Sequence, residues 1–398
     1  MLRESTVRQA SIGIIIGIIA GIIIGATIIR PHIAPELTHE STHDLTQERA
    51  LDLAVPSPEN SAEKPIVSET PEPTPNPVLV HWRMTSVYAG SLPGLGDFPK
   101  RIETAIDEIS NHQFKIDFHE PGRLIPPEEM FEAVRSGAIQ AGFSSPAQWA
   151  EKAPALSLFS SIPFGPNADE YLAWVFNGGG LELFNQIYEK HGIHSIICGA
   201  TSANASGWFN KPITTADDLK GLHMRINGLG ARVMEKLGVT TEYLMNSDIV
   251  VAMESGAIDA AEFSQPATDF TLGLHRTANI LYFPGWHQPA TLFDLIINKE
   301  AWEELSIASK AQIEAVCGDN VWRGLVASDA RQFAALKHFT KLGVQIKTWP
   351  HNVLSAFRRT WQQVVEEESK KDKTFKQVWL SIEKFREKYA IWHELSAP

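Results

Sequence analysis

Cysteine is scarce in this 398-residue chain: only Cys198 and Cys317 occur, far apart in sequence. Two cysteines neither require nor exclude a disulfide in an oxidising compartment. Cys198 lies in SIICG, a run typical of a buried strand. We therefore expect two buried free thiols, with a Cys198–Cys317 bridge as the alternative.

Sequence signatures of catalysis are also missing. The chain has no G-x-S-x-G, H-E-x-x-H, paired C-x-x-C, Walker loop or EF-hand spacing. The glycine pairs in GLGD (94–97) and GLG (228–230) are too isolated to indicate a phosphate-binding loop. The fourteen histidines are scattered along the chain. These absences argue against an enzyme more than they establish a binding protein.

Positive charge is in deficit, with 35 Lys and Arg against 47 Asp and Glu and a net charge of −12. The chain contains no dense stripe of basic residues. Nucleic-acid binding, which depends on such a stripe, is not expected.

One long hydrophobic run is present near the start of the chain. Residues 10–29 are uncharged and include GIIIGIIAGIIIG, and as a helix they would extend roughly 30 Å, the thickness of a bilayer core. We expect an uncleaved signal anchor over residues 1–30, with a long cleaved signal as the alternative. A glycine at every fourth position favours pairing with another membrane helix over glycine that is merely tolerated there.

The next segment, residues 31–77, carries nine prolines and no aromatic residue. Such a composition cannot bury enough apolar surface to fold, so we expect a disordered tether. Residues 78–398 then alternate short β-rich runs such as VLVHWRM and FKIDFH with segments of helical periodicity, among them one long helix expected near residues 168–190. That alternation predicts an α/β fold, followed after Pro350 by long C-terminal helices.

A short internal repeat suggests two similar halves. AVRSGAIQAGF (133–143) and AMESGAIDAAEF (252–263) share residues at equivalent offsets, and each reads as a helix end, a glycine turn and a buried strand. We expect one α/β lobe over about 78–200 and a second over 201–300, with later segments crossing back. A cleft between such lobes is a preferred ligand site.

GLHMRINGLG (221–230) is the most informative stretch for function. LHMRI alternates like a strand and the following residues read as a helix, which places Arg225 near the exit of a strand. A guanidinium there can hold a carboxylate through two parallel hydrogen bonds. The alternative is an ordinary arginine paired with a surface carboxylate.

Several segments in the same order resemble the solute-binding proteins of TRAP transporters, in particular the branch that binds α-keto and α-hydroxy acids. They include SIPFG, SGWFNKPITTADDLKG, KGLHMRINGLGARVMEKLGV, DIVVAMESGAIDAAEFSQPATDF and YFPGWHQPATLFDLIINKEAW. The similarity runs from about His81 to Trp392. It implies a two-lobe periplasmic-binding-protein-like fold that closes over a small organic anion, and a homodimer formed through a long C-terminal helix is possible.

The resemblance also implies roles for individual residues. Arg225 matches the arginine that grips the ligand carboxylate, and Glu262 matches an acidic residue that helps hold a bridging cation. Phe263 stands where the branch usually has Trp and contributes a backbone carbonyl. Asn204 falls where the branch has a longer amide, and Gln288 falls where it has a carboxylate.

Further residues are candidates by their position. SSPAQWA (144–150) replaces a tyrosine-rich stretch that lines the pocket in the resembling family, which leaves Gln148 and Trp149 as candidate ligand contacts. Trp208 and Trp286 are expected either to contact ligand or to be core aromatics. Asp248 is expected to be a helix N-cap.

Together these features predict periplasmic capture of a small organic carboxylate and its delivery to a TRAP-type permease by hinge closure. A membrane-anchored sensor subunit and a carboxylate-acting enzyme are the alternatives. Because Glu262 is the one carboxylate expected at the site, we expect a monovalent cation such as sodium, or none, rather than Ca²⁺. A direct pair between Glu262 and Arg225 is the other reading of that glutamate.

Overall fold

The computed structural model describes residues 79–396, which form eleven strands and eleven α-helices. The expected anchor (1–30) and nearly all of the residues before the first strand, including the expected tether (31–77), lie outside this range. Among the described residues, no helix combines the length and apolar character that crossing a bilayer requires.

The strands form two sheets. In chain order they are β1 (Val80–Ser86), β2 (Phe114–His119), β3 (Ala141–Ser144), β4 (Ile193–Ser202), β5 (Gly207–Phe209), β6 (His223–Arg225), β7 (Thr240–Glu242), β8 (Ala260–Ala261), β9 (Ile280–Phe283), β10 (Ala290–Asn298) and β11 (Gln345–Thr348). The first sheet has the order β2-β1-β3-β10-β4, and the second has the order β7-β6-β8-β5-β9-β11.

The helices pack around these sheets. They are α1 (Asp97–Ile109), α2 (Met130–Arg135), α3 (Ala168–Asn177), α4 (Gly180–Glu189), α5 (Gly228–Lys236), α6 (Asn246–Ser255), α7 (Pro266–Leu272), α8 (Lys299–Glu303), α9 (Ile307–Lys341), α10 (His351–Lys371) and α11 (Lys373–Ser396).

The two sheets repeat one topology, as the internal sequence repeat predicts. β2-β1-β3 and β7-β6-β8 are parallel, and each third strand pairs antiparallel with the next, β10 or β5. The repeated Ser-Gly-Ala-Ile segments turn at Gly137 (φ 77°) and Gly256 (φ 74°), a conformation that favours glycine, before entering β3 and β8. The two-lobe α/β fold is confirmed.

The chain crosses between the lobes in ways that the sequence only partly indicates. β10 lies within the 201–300 interval expected for the second lobe, yet it pairs with β3 and β4 of the first sheet. β11 then joins the second sheet beside β9. The 35-residue helix α9 packs on β4 and α1 of the first lobe and on α7 and β11 of the second. These crossings hold the lobes side by side and leave the cleft between them.

Three local expectations were wrong. Residues 168–190 form two helices rather than one, because Gly179 adopts φ 89°, which no α-helix accommodates. Asp248 is not an N-cap: α6 begins at Asn246 with Met245 at the cap, so Asp248 lies in the first turn, where its charge still favours the helix dipole.

The third concerns the cysteines, which form a disulfide with an S–S distance of 2.04 Å. Both are fully buried, Cys198 in β4 and Cys317 in α9. Because α9 packs directly on β4, it brings together residues separated by 119 positions. The expectation of two free thiols fails because sequence spacing carries no information on this packing.

The long C-terminal helices are confirmed as α10 and α11. α10 buries one stripe against the body of the protein, comprising Val353, Phe357, Thr360, Trp361 and Val364. This spacing is the one expected of an amphipathic helix with a single buried face. The last turns of α11 are exposed, including Ile391, Trp392 and Leu395.

Candidate functional site

A small cavity lies between the lobes, where the parallel strands of both sheets end. Tyr88 follows β1, Ser145 follows β3, Tyr243 follows β7 and Glu262 follows β8, and all four line the cavity. Arg225 ends β6 and lines it too. Ligands of open α/β sheets bind at such carboxyl ends because loops and helix starts converge there.

The size of the cavity limits what can bind. It offers about 90 Å³ to the centres of water-sized groups. One water needs roughly 10–15 Å³ by this measure, so the cavity holds roughly six to nine such groups. A small organic acid fits within this volume.

Arg225 is the buried cation of the cavity, with 4% of its surface exposed. Its Nη1 donates to the backbone carbonyl oxygen of Glu262 at 2.5 Å. With the Asn227 amide oxygen turned toward the guanidinium, that oxygen lies 3.0 Å from Nη2. Burial lowers the pKa of Arg225, which the charge of Glu262 opposes; an arginine nevertheless remains charged at physiological pH. The guanidinium is therefore held in one orientation toward the cavity.

Aromatic rings flank this guanidinium. Its Cζ lies 5.2 Å from the ring centre of Phe263 and 5.9 Å from that of Tyr243. Both distances are within the range of cation–π attraction. The rings further restrict the guanidinium and shield it from solvent, which strengthens its attraction for an anion.

Glu262 is the buried carboxylate of the cavity. Its Oε1 lies 3.3 Å from His287 Nε2, and its Oε2 lies 3.7 Å from Arg225 Nη1. Burial by itself raises the pKa of Glu262, but His287, Arg225 and the Asn204 amide outweigh burial, and the net pKa is lowered. Glu262 is thus ionised at neutral pH.

Two amides complete this polar cluster. Asn204 Nδ2 donates to the side-chain oxygen of Gln288, and it lies 3.4 Å from Glu262 Oε1. Thr291 Oγ1 also contacts Gln288 Oε1, at 3.3 Å. Asn204 follows β4 and Gln288 precedes β10, so both belong to the segments that cross between the lobes. Arg225, Asn204, Gln148, Glu262, Phe263 and Gln288, all candidates from the sequence, line one cavity.

The cavity offers one charged oxygen ligand for a cation. Residues 79–396 contain no group of three or more His, Cys, Asp or Glu side chains arranged to bind a metal. Among the described residues lining the cavity, Glu262 supplies the one carboxylate, and Gln288, Thr291 and several serines supply neutral oxygens. One carboxylate with neutral oxygens suits a weakly bound ion of low charge, whereas Ca²⁺ usually takes several carboxylates.

The three candidate tryptophans do not line this cavity. Trp208 donates its indole N–H to buried Asp269 at 2.8 Å, and Trp286 stacks on Phe357 with ring centres 4.5 Å apart. Trp149 donates to Ser144 Oγ at 3.1 Å and borders a neighbouring cavity instead. Trp208 and Trp286 are therefore core aromatics, the alternative that the sequence left open.

Sequence reasoning missed several cavity residues, chiefly Tyr88, Ser145, Tyr243 and His287. Burial raises the pKa of Tyr88 well above its usual value, so its hydroxyl stays neutral. His287 is 1% exposed, and neither ring nitrogen makes a well-directed hydrogen bond. The sequence could have indicated Tyr88 and Tyr243, since each comes just after a parallel strand, where ligand-binding residues are expected.

Comparison with known proteins agrees with this fold. Residues 89–372 match the family described as bacterial extracellular solute-binding protein, family 7. A curated relative from Nostoc sp., named as a monocarboxylate 2-oxoacid-binding periplasmic protein, is 34% identical over 319 residues, covering 80% of this chain and 87% of the relative. The chain therefore belongs to this family of solute-binding proteins, which are not enzymes.

Solved structures extend the comparison. A TRAP transporter solute-binding protein from Bordetella bronchiseptica, with copurified calcium and picolinate, is 33% identical with a TM-score of 0.78; the match covers 81% of this chain and 95% of that one. One from Pseudoalteromonas atlantica, with bound sodium and pyruvate, is 29% identical with a TM-score of 0.77; the match covers 80% of this chain and 97% of that one.

Proposed function

We propose that this protein captures a small 2-oxo or 2-hydroxy monocarboxylate in the periplasm and delivers it to a TRAP-type permease. The observation that carries the proposal is the buried Arg225 guanidinium facing a cavity of about 90 Å³ between two lobes. The family and the 2-oxoacid-binding name of the Nostoc relative support it.

In this proposal Arg225 binds the ligand carboxylate, because a guanidinium offers two parallel donors to its two oxygens. The amide of Asn204 lies within the same cavity and can donate to the 2-oxo or 2-hydroxyl oxygen. Arg225 comes from the second lobe, whereas Tyr88 and Ser145 come from the first. A ligand that contacts both lobes binds the closed arrangement better and shifts the population toward it.

A cation is a second element of the proposal. Glu262 and Gln288, with the Phe263 backbone carbonyl, would hold a monovalent ion such as sodium. The bound ion would supply positive charge beside the second ligand oxygen. The sodium and calcium in the related structures support an ion at this position without fixing its identity in this chain.

The membrane attachment follows from sequence alone. An anchor over residues 1–30 and a tether over residues 31–77 would keep the binding domain near its permease and raise its effective concentration there. A homodimer through α11 is proposed on the family resemblance and on the exposed Ile391, Trp392 and Leu395 of its last turns.

The direct test uses native mass spectrometry of the full-length chain to identify any copurified ligand, followed by calorimetry with pyruvate, lactate and succinate. We expect binding of pyruvate or lactate with unit stoichiometry. Succinate should bind much more weakly, because Arg225 is the one Lys or Arg side chain among the described residues lining the cavity. Tight binding of succinate with no binding of the two monocarboxylates would overturn the proposal.

A further inference from the structure

A second, larger cavity adjoins the ligand cavity. It offers about 440 Å³ to water-sized groups, compared with about 90 Å³ inside. Pro127, Trp149 and Met245 give it an apolar part, and the exposed Glu128, Glu151 and Lys152 lie at its edge. An alkyl chain of several carbons would fit there.

Six residues line both cavities and therefore form the boundary between them. These are Val87, Ala147, Gln148, Asn227, Gly228 and Tyr243. Val87, Ala147 and Gly228 have short side chains or none, and the Asn227 amide faces Arg225. Gln148 and Tyr243 are therefore the two long side chains available to fill the opening.

Gln148 and Tyr243 come from opposite sides of the cleft. Gln148 lies in the turn Pro146–Trp149 that follows β3 of the first lobe, and Tyr243 follows β7 of the second. Both side chains line both cavities, and the Tyr243 hydroxyl contacts Met245 Sδ at 3.5 Å. Each lobe thus contributes one of the two long side chains that lie between the cavities.

We propose that Gln148 and Tyr243 form a wall that sets the maximum carbon-chain length of the bound acid. This rests on the proposed function, because it concerns the same Arg225-anchored ligand. An acid longer than the inner cavity has to extend into the adjoining one, and the glutamine and tyrosine side chains occupy that route. Overfilling a closed pocket by even one methylene is costly.

The test measures dissociation constants for a series of unbranched 2-oxo acids from pyruvate to 2-oxooctanoate, using the full-length chain. The wild-type protein should bind pyruvate and lose affinity steeply as the chain lengthens. Gln148→Ala should open the wall and reduce the ratio of the 2-oxooctanoate to the pyruvate dissociation constant by about tenfold or more, the effect of about one accommodated methylene. An unchanged ratio in this variant would overturn the wall.

Two further variants separate steric blocking from other effects. Tyr243→Phe retains the ring but loses the hydroxyl, so a steric wall predicts the wild-type length ratio. A ratio lowered as in Gln148→Ala would mean that the Tyr243 hydroxyl, and not the bulk of the ring, excludes long acids, which contradicts the wall. Glu151→Gln, which borders only the outer cavity, is the matched control and should bind like wild type.

Failure of this inference is distinguishable from failure of the proposed function. If the wild-type protein binds pyruvate while the length ratio is the same in Gln148→Ala, only the wall is wrong. If the wild-type protein binds none of the 2-oxo acids, the proposed function itself fails.

Discussion

Nη1 of Arg225 lies 3.7 Å from Oε2 of Glu262 but donates to the backbone carbonyl oxygen of the same glutamate at 2.5 Å. The two charges therefore form a loose ion pair rather than a hydrogen-bonded one. The backbone carbonyl oxygen of Glu262 fixes the orientation of the guanidinium. The side-chain carboxylate oxygens of Glu262 can therefore still interact with other partners. This arrangement reconciles the two readings of Glu262, since it is both near the arginine and available to a cation.

Arg225→Lys is expected to weaken binding of the preferred acid by about 1.5–3 kcal/mol, roughly ten- to 150-fold in Kd. The charge remains, but a lysine cannot offer two parallel donors. Calorimetry on the full-length chain measures the effect. Arg232→Lys is the matched control, because that arginine is 48% exposed and pairs with Glu368 outside the cavity. Unchanged affinity in Arg225→Lys would show that Arg225 does not bind the ligand carboxylate.

Arg225 illustrates what the sequence could predict. Its location at a strand exit followed from the alternation in LHMRI and the glycine that follows, which are local patterns. The shared Ser-Gly-Ala-Ile segments likewise predicted two lobes, because equivalent helix ends and strands produce equivalent topology. Local pattern therefore accounted for the fold class and for the centre of the site.

Packing between distant segments could not be predicted from local sequence pattern. The Cys198–Cys317 bond forms because α9 packs on β4. The indole N–H of buried Trp208 donates to Asp269, which lies 61 positions later in the chain. Sequence spacing identifies neither Cys317 nor Asp269 as the partner.

Affinity for the acid is expected to rise with sodium concentration, and Glu262→Gln should abolish that dependence. The glutamine retains an oxygen donor but loses the charge that would offset the ion. Titrations at constant ionic strength, with potassium or choline replacing sodium, measure the effect. Glu254→Gln, an exposed glutamate on α6, serves as the control and should respond like wild type. Stoichiometric calcium retained through dialysis against a chelator would contradict the expectation of a monovalent ion.

The Cys198–Cys317 disulfide is expected to be intact in the exported protein. Alkylation of the denatured, unreduced full-length chain should modify neither cysteine, and reduction should make both reactive. Replacing both with alanine should lower the free energy of unfolding by on the order of 2–5 kcal/mol, since the bond constrains a long loop in the unfolded chain. Two reactive thiols before reduction would restore the free-thiol expectation.

The N-terminal segment is expected to remain in the mature protein. Its 20-residue uncharged run is longer than the apolar part of a secretory signal, roughly 7–15 residues. Terminal sequencing of membrane-associated protein should therefore find the encoded N-terminus. A mature terminus beginning after residue 25 would show cleavage and would also remove the argument that a tether keeps the domain near its permease.

The buried carboxyl groups of Asp269 and Asp294 should make stability fall as pH rises from about 4 to about 7. Burial raises the pKa of Asp269 from 3.8 to about 7, and it raises that of Asp294 to about 6. In this window these two groups hold protons in the folded protein that they have already released in the unfolded chain, so a rise in pH favours unfolding. His194, whose pKa burial lowers from 6.5 to about 4, contributes in the opposite sense and makes the net slope shallower. Urea denaturation across the window measures the slope.

Asp269→Asn should reduce this slope, because asparagine does not ionise, while Asp294 should keep its own contribution. Above about pH 7 it should also cost about 1–3 kcal/mol, since the ionised carboxylate accepts from both Trp208 Nε1 and the Ser264 backbone N–H, and an amide can accept well from only one of them. Asp217→Asn, at a side chain that is 80% exposed, is the control and should keep the wild-type slope. A slope unchanged from wild type in Asp269→Asn would mean that Asp269 folds in its charged form, balanced by the positive charge of nearby Arg225.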